Sequence, residues 1–327
     1  MHGRLVRRAA LLVLLGAGAN VAIARSATAP TLKTVAFVAA MGGIDDHGFN
    51  QLGYAGTRAG ATRFHFSVRV LRSSSFTRYL RDLTTAAQGA QLVVASDPQL
   101  ADPARLVAPQ YPRVRFITID AASSAPNVLG NTFGTAQAAY LAGILAAGVS
   151  KTHTIGFIGG FNEPVTNGLL AAYKAGARSC DRGVRLRIAY TNSFGDRSLG
   201  MAVGSQEIRQ GADVLYPAAG QAGIGTLAAA ARRHVYGIGS DIDQNYLYPR
   251  AVLTSVLKRV DVAVGAGIRS AATGRFRGGT AIWTLANDGV GFAPYHGLAR
   301  AVPARVQAAI DRARQSIVTG TVRIPSK

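Results

Sequence analysis

The chain has 327 residues, a formal net charge of +20 and 48% hydrophobic residues. This composition excludes a disordered or fibrous chain, and the length suggests two domains rather than one core. A single cysteine, Cys180, excludes an internal disulfide or a thiolate metal cluster. The charge would suit an anionic partner, but the arginines are scattered, with no dense run, aromatic ladder or nucleic-acid motif. They are read as surface cations, and no nucleic-acid partner is expected.

Residues 1–29 have the pattern of a secretory signal. Arg4, Arg7 and Arg8 form a positive n-region and Ala9–Leu15 an apolar core. Ala22-Ile23-Ala24 or Ala27-Thr28-Ala29 supplies a small-residue cleavage site. The apolar run is shorter than the roughly 20 residues a membrane span needs. The mature chain is therefore expected outside the cytoplasm. Cys180 lies too far along to be a lipidated N-terminal cysteine, so a lipid anchor is not expected.

The stretch Thr34–Gln51 sets the pattern for the rest of the chain. Thr34–Ala40 is a short apolar run that reads as a buried strand. A loop with Asp45, Asp46, His47, Phe49 and Asn50 leads into a helix-like segment, Gln51–Ala61. In an open parallel sheet, ligands bind beyond the carboxyl ends of the strands. This loop fits neither GxGxxG nor GxxxxGK[ST]; it offers acceptors, an aromatic face and an amide.

Further strands are expected at Val68–Arg72, Gln91–Ser96, Val114–Asp120 and Asn127–Thr132, with helices at Thr77–Gln88 and Leu100–Tyr111 between them. The third strand ends in a loop holding Asp97 and Pro98. After an Ala-rich helix, Gly134–Gly148, the rhythm restarts. Strands are expected at Thr154–Ile158, Val184–Tyr190, Val214–Ala218, Tyr236–Ser240 and Ala251–Val256, with Gly220–Gly225 as a glycine-rich turn. Helices are expected at Pro164–Cys180, Leu199–Gln210, Thr226–His234, Asp261–Gly274 and Val302–Thr319, and one more strand at Thr280–Thr284. Strands alternating with helices at this spacing indicate a doubly wound parallel sheet in each half. No low-complexity linker separates the halves, which suggests crossing segments that form a hinge.

Polar residues recur at the strand ends of both halves: Asp45, Asp46, Asn50 and Asp120 in one, and Asp196, Asp241, Asp243 and Lys258 in the other. Each alone is equally a helix cap or loop residue; their recurrence points to a ligand crevice. Phe49 and Phe194 each follow a strand beside a carboxylate. Either is a plug beneath its loop or one face of a sandwich for a planar ring. Lys258 is placed to pair with Asp241. HExxH and GxSxG are absent, and the cysteine has no activating context.

Seven segments in order give the chain a resemblance to the basic membrane protein family of substrate-binding proteins, which includes the purine-nucleoside-binding lipoproteins of ABC importers. They are IDDHGFNQLGYAG (Ile44–Gly56), NTFGTAQAAYLAGILAA (Asn131–Ala147), TIGFIGGFNEP (Thr154–Pro164), NSFGD (Asn192–Asp196), GADVLYPAAGQAGIG (Gly211–Gly225), GIGSDIDQ (Gly237–Gln244) and LTSVLKRVD (Leu253–Asp261). The resemblance implies an α/β, type I periplasmic-binding-protein fold: two Rossmann-like lobes with parallel sheets joined by three crossovers. The lobes expected are 30–133 plus 258–279, and 134–257 plus 280–327. It also implies that Phe49 and Phe194 sandwich a base, that Asp46, Asn50 and Asp120 hydrogen-bond its edge, and that Asp241, Lys258 and the backbone near Gly220 hold the ribose. The implied partners are a nucleoside and an ABC permease in the membrane, with no cofactor and a monomeric state. One departure from the family is the lack of a cysteine at the mature N-terminus. Two other functions compete with import: a nucleoside or sugar sensor of the same fold signalling to a membrane partner, and a secreted nucleoside or sugar hydrolase.

Overall fold

Apolar β-branched runs alternate with helices along the whole chain, so the backbone winds strand, helix, strand through two sheets. The computed structural model describes residues 32–41 and 43–325, and the expected export signal at 1–29 lies outside them. The first lobe runs through β1 (Thr34–Ala39), α1 (Phe49–Phe64), β2 (Ser67–Arg72), α2 (Tyr79–Gly89), β3 (Leu92–Ala95), α3 (Ala101–Val107), β4 (Arg115–Ile119) and β5 (Val128–Phe133). The second lobe takes α4 (Thr135–Val149), β6 (Thr154–Gly159), α5 (Pro164–Cys180), β7 (Arg185–Tyr190), α6 (Arg197–Arg209), β8 (Val214–Ala218), α7 (Gly220–Arg232), β9 (Tyr236–Asp241) and β10 (Val252–Lys258). The chain returns to the first lobe for α8 (Val260–Ala272) and β11 (Gly279–Trp283). It ends in the second with β12 (Val290–Phe292) and α9 (Ala304–Val318).

The sheet orders are β11-β5-β4-β3-β1-β2 and β12-β10-β9-β8-β6-β7. They correspond strand for strand: β1 to β6, β2 to β7, β3 to β8, β4 to β9, β5 to β10 and β11 to β12. Every pairing is parallel except β10 with β12. Helices cover both faces of such a sheet, so inner strands are apolar throughout. Five of the six residues of β1 are buried, whereas edge strand β2 alternates.

Three crossings join the lobes: at Gly134, at Arg259 and over 284–289. They are tied together by hydrogen bonds from Gly134 N–H to the Trp283 carbonyl (2.7 Å) and from Arg259 N–H to the Gly289 carbonyl (2.9 Å). The expected lobe boundary at 279/280 falls inside β11, which pairs with β5 in the first sheet. The last crossing therefore follows Trp283. Strand β12, three residues long and broken by Gly291, carries too little periodicity to be read from sequence.

The expected glycine-rich turn at Gly220–Gly225 is instead the first two turns of α7. Glycine lowers helix propensity, but here it permits close packing. A Cβ on Gly225 would overlap the Arg197 carbonyl, and one on Gly200 the Ala222 carbonyl, so α6 and α7 touch backbone to backbone. The Ala-rich α4 meets α5 in the same way, with Gly143 against the Tyr173 carbonyl and Gly176 against that of Tyr140. Backbone atoms cannot yield as a flexible side chain can. Gly176→Val should therefore destabilise the protein by about 1–3 kcal/mol or more through overpacking. Urea unfolding would show this as a lowered midpoint; an unchanged midpoint would contradict the α4–α5 contact.

Candidate functional site

The carboxyl ends of the strands in both lobes face a common crevice, and the loop after β1 is its most fully bonded wall. Asp46 caps α1: its carboxylate accepts from the N–H groups of Gly48, Asn50 and Gln51 at 2.9–3.0 Å. These are the orphan donors of a helix start, and a negative charge there also suits the dipole. Asn50 is only 1% exposed. Its Oδ1 accepts from Ala40 N–H (2.9 Å) and Ser96 Oγ (2.5 Å), while its Nδ2 donates to the Ala40 and Met41 carbonyls at 3.4 Å. Asn50 thus locks the ends of β1 and β3 to α1. Both residues, expected at the edge of a base, spend their polar atoms inside the first lobe and fix the position of Phe49 between them.

Phe49 lies at the crevice floor. The Lys258 ammonium stands 4.5 Å from the centre of its ring and 5.7 Å from that of Phe133. Lys258 ends β10 of the second lobe and is buried, yet its Nζ donates to Asp120 Oδ2 of the first lobe at 2.6 Å. The expected pairing with Asp241 is replaced by this cross-lobe bridge. Asp120 and Asp241 occupy equivalent places, at the ends of β4 and β9, both in the left-handed region with φ 52° and 68°. Asp tolerates that conformation better than most side chains. Each lobe thereby turns one carboxylate toward the same ammonium.

Asp241 is half-buried and has no hydrogen-bond partner among the described residues. Burial pushes its carboxyl up to about 6; Lys258 opposes the shift, and Asp120, Asp46 and Asp97 reinforce it. Asp97, at the end of β3, is also raised, chiefly by burial. It was legible as a loop residue but not as a member of the site; its place at a strand end was the available signal. Lys258 thus bonds to Asp120, and Asp97 and Asp241 both feel its charge.

On the second lobe, Phe194 is 38% exposed and meets Phe161 edge-on at 5.2 Å. Its ring rests on Gly160, where a Cβ would overlap it. Gly220 has φ +54° and a Cβ there would come within 2.9 Å of the Phe194 carbonyl, so this glycine seats the Phe194 loop. Phe49 and Phe194 stand on opposite lobes. Of the other rim carboxylates, Asp196 caps α6 and Asp243 pairs with His296 at 2.8 Å, while Asp45 is exposed. At the crevice mouth, His47 Nδ1 lies 2.5 Å from the Tyr246 hydroxyl, and Gln244 Nε2 donates to the His47 carbonyl at 3.5 Å. Gln244 precedes and Tyr246 lies in a short 3₁₀ turn after β9; Gln244 closes the GIGSDIDQ segment, and no sequence pattern marked Tyr246.

Two lobes joined by three crossings around a polar crevice define the type I periplasmic-binding-protein fold. A solute-binding protein of an ABC transporter from Aeropyrum pernix K1 superimposes with a TM-score of 0.81 at 24% identity, covering 90% of this chain and 94% of that one. Residues 33–327 match the family model described as "ABC transporter substrate-binding protein PnrA-like", and the chain belongs to this Bmp family of substrate-binding proteins. The ABC transporter nucleoside-binding protein BmpA of Lactococcus lactis subsp. cremoris is 29% identical, with 98% of this chain and 96% of that protein covered. Basic membrane protein A of Borreliella afzelii is 32% identical over 87% of this chain and 89% of its own length. No helix among the described residues is long and apolar enough to cross a membrane.

The Asp241 carboxyl makes stability depend on pH. The folded protein holds this proton up to about pH 6, the unfolded chain only to about pH 4. Between those values folding takes up a proton, so stability falls as pH rises and the penalty is complete above the folded value. Asp241→Asn removes the penalty. The ligand-free variant should be more stable than wild type by about 1–3 kcal/mol near neutral pH, with the two converging below about pH 4. Equal melting temperatures at neutral pH would show that Asp241 is not held in an unfavourable field.

Proposed function

We propose that the protein captures a nucleoside, and a purine nucleoside in particular, between its lobes and delivers it to the membrane-spanning permease of an ABC importer. The observation that carries this reading is the convergence of Asp120, Asp241 and Lys258 beside the Phe49 ring, from both lobes. A ribose offers vicinal hydroxyls, each both donor and acceptor. An ammonium with three donors and carboxylates with free lone pairs match that pattern. Asp241, without a partner of its own, accepts from a hydroxyl, and the ligand fills the gap that leaves its charge unfavourable. Phe49 and Phe194 take the two faces of the base, with Phe161 bracing Phe194. Asp120 serves the ligand while pairing with Lys258. Asp46 and Asn50 act one step back, by holding Phe49, and Gly220 acts by seating Phe194. The Lactococcus relative's description as nucleoside-binding supports the same ligand class. The protein works as a monomer outside the cytoplasm, exported by the signal pattern at 1–29.

Base and ribose recognition separate by mutation. Phe194→Ala should weaken guanosine and guanine alike, by about 1–3 kcal/mol, the range seen when a stacking ring is removed. Asp241→Ala should weaken guanosine by about 1.5–3 kcal/mol, a hydrogen bond to a charged group, and leave guanine nearly unaffected. Calorimetric titration of both ligands into both variants distinguishes these outcomes. Equal loss for guanine and guanosine in Asp241→Ala would overturn the ribose assignment. A wild type that binds neither ligand but takes a free sugar would overturn the nucleoside reading.

A further inference from the structure

The segment Arg72–Asp82, RSSSFTRYLRD, links β2 to α2 at the crevice-bearing end of the first lobe but lies outside the crevice floor. Phe76 is 57% exposed, Leu80 46% and the nearby Met41 41%. Between them Tyr79 is fully buried, with the Phe76 ring edge-on to it at 5.6 Å. The Tyr79 hydroxyl accepts from Met41 N–H (3.2 Å) and donates to Gln99 Oε1 (3.3 Å). Buried Tyr79, on which Phe76 packs, is therefore hydrogen-bonded to the loop that carries Phe49.

Beside it, Arg72, Arg78 and Arg81 line a hollow of about 400 Å³ together with Leu71, Asp82 and Thr85. Asp82 is the only carboxylate there. It is buried and accepts from Ser73 Oγ at 2.9 Å, while Arg78 and Arg81 stand 3.8 and 4.0 Å away, beyond hydrogen-bonding distance. Arg72 makes no ion pair among the described residues. Three guanidinium groups against one carboxylate leave the hollow strongly positive, with donors free to take a further carboxylate in the bidentate manner of arginine. Exposed aromatic, methionine and arginine side chains together have the composition of an interface core.

The second lobe also exposes apolar side chains at this end: Val165 opens α5 after β6 and Leu199 lies in the first turn of α6 after β7, beside Arg197, whose Nε donates to Gln221 Oε1. The same end of each lobe thus presents an apolar and arginine-bearing patch, and hinge closure changes the distance between the two. We infer that these patches are the docking surface for the importer's permease, and that a loop of the permease places an acidic side chain in the Arg72–Arg78–Arg81 hollow while apolar side chains cover Phe76 and Leu80. A partner that grips both patches senses closure, and the Tyr79–Met41 bond couples the first patch to the ligand loop. The inference rests on membership of an importer's substrate-binding family for its partner, and not on the nucleoside as ligand.

The test is equilibrium binding of fluorescently labelled full-length mature protein to proteoliposomes holding the permease–ATPase complex of its importer, against empty vesicles of the same lipid. Arg78→Glu and Phe76→Ala should each weaken binding to the loaded vesicles by at least about tenfold, as for interface hot spots. Arg312→Glu, on the far helix α9, should leave it within about twofold. Guanosine affinity of Arg78→Glu and Arg312→Glu should match wild type by calorimetry. The patch variants binding as well as wild type would overturn the inference, as would an equal loss with Arg312→Glu. Binding to empty vesicles that Arg78→Glu abolishes would assign the patch to the lipid surface, and a wild-type dimer that Phe76→Ala dissolves would assign it to a second copy; either result also overturns the inference. Failure of wild type to bind guanosine would strike the ligand assignment alone, because the vesicle measurement needs no nucleoside.

Discussion

The ammonium of Lys258 is the group on which the crevice depends. It belongs to the second lobe, bonds to Asp120 of the first, and lies over Phe49 and Phe133. Burying an ammonium is expensive, and one carboxylate partner offsets that cost only when the geometry is good. Here Asp97 and Asp241 also feel its charge, and both hold their protons above the usual range. Asp46 and Asp97 accept from backbone N–H groups and Asp120 from Lys258, so the acceptor left unmet in the ligand-free crevice is Asp241. A molecule that brings it a hydroxyl or N–H donor relieves the imbalance, and relief that requires both lobes favours their closure.

The internal repeat makes this geometry available. Because β4 and β9 occupy the same place in their sheets, Asp120 and Asp241 approach the crevice from opposite sides with matching left-handed backbones. Because β5 and β10 are also equivalent, Phe133 and Lys258 end their strands beside the crossings at Gly134 and Arg259. His47 of the first lobe meets Tyr246 and Gln244 of the second. The protein carries a net charge of +20, yet Asp97, Asp120 and Asp241 act on one another and on Lys258 in the crevice.

Much of the fold was legible because a parallel sheet writes itself as buried apolar runs. Helix Pro164–Cys180 and strand Val214–Ala218 lie at the residues expected for them. The misses have physical causes. Gly220–Gly225 reads as a turn until the close approach of α6 is known, since only packing shows why a helix should contain three glycines in six residues. Crevice residues that end strands, Asp120, Asp241 and Lys258, were visible because position alone marks them. Asp46 and Asn50 were visible as polar loop residues, but whether such a residue faces a ligand or caps a helix depends on side-chain direction, which spacing does not encode. Tyr246 and Gln244 come near His47 only through the relative placement of two lobes, a contact almost two hundred residues apart in sequence.

The most direct test of the shared ammonium is a calorimetric titration of guanosine into wild type and Lys258→Met, with circular dichroism confirming that the variant keeps its fold. Methionine preserves the length and the packing on Phe49 while removing the charge and its donors. If one ammonium joins the lobes and holds the ligand, the variant should lose at least about tenfold in affinity, the equivalent of a hydrogen bond to a charged group. A folded Lys258→Met protein that binds guanosine as tightly as wild type would contradict the account.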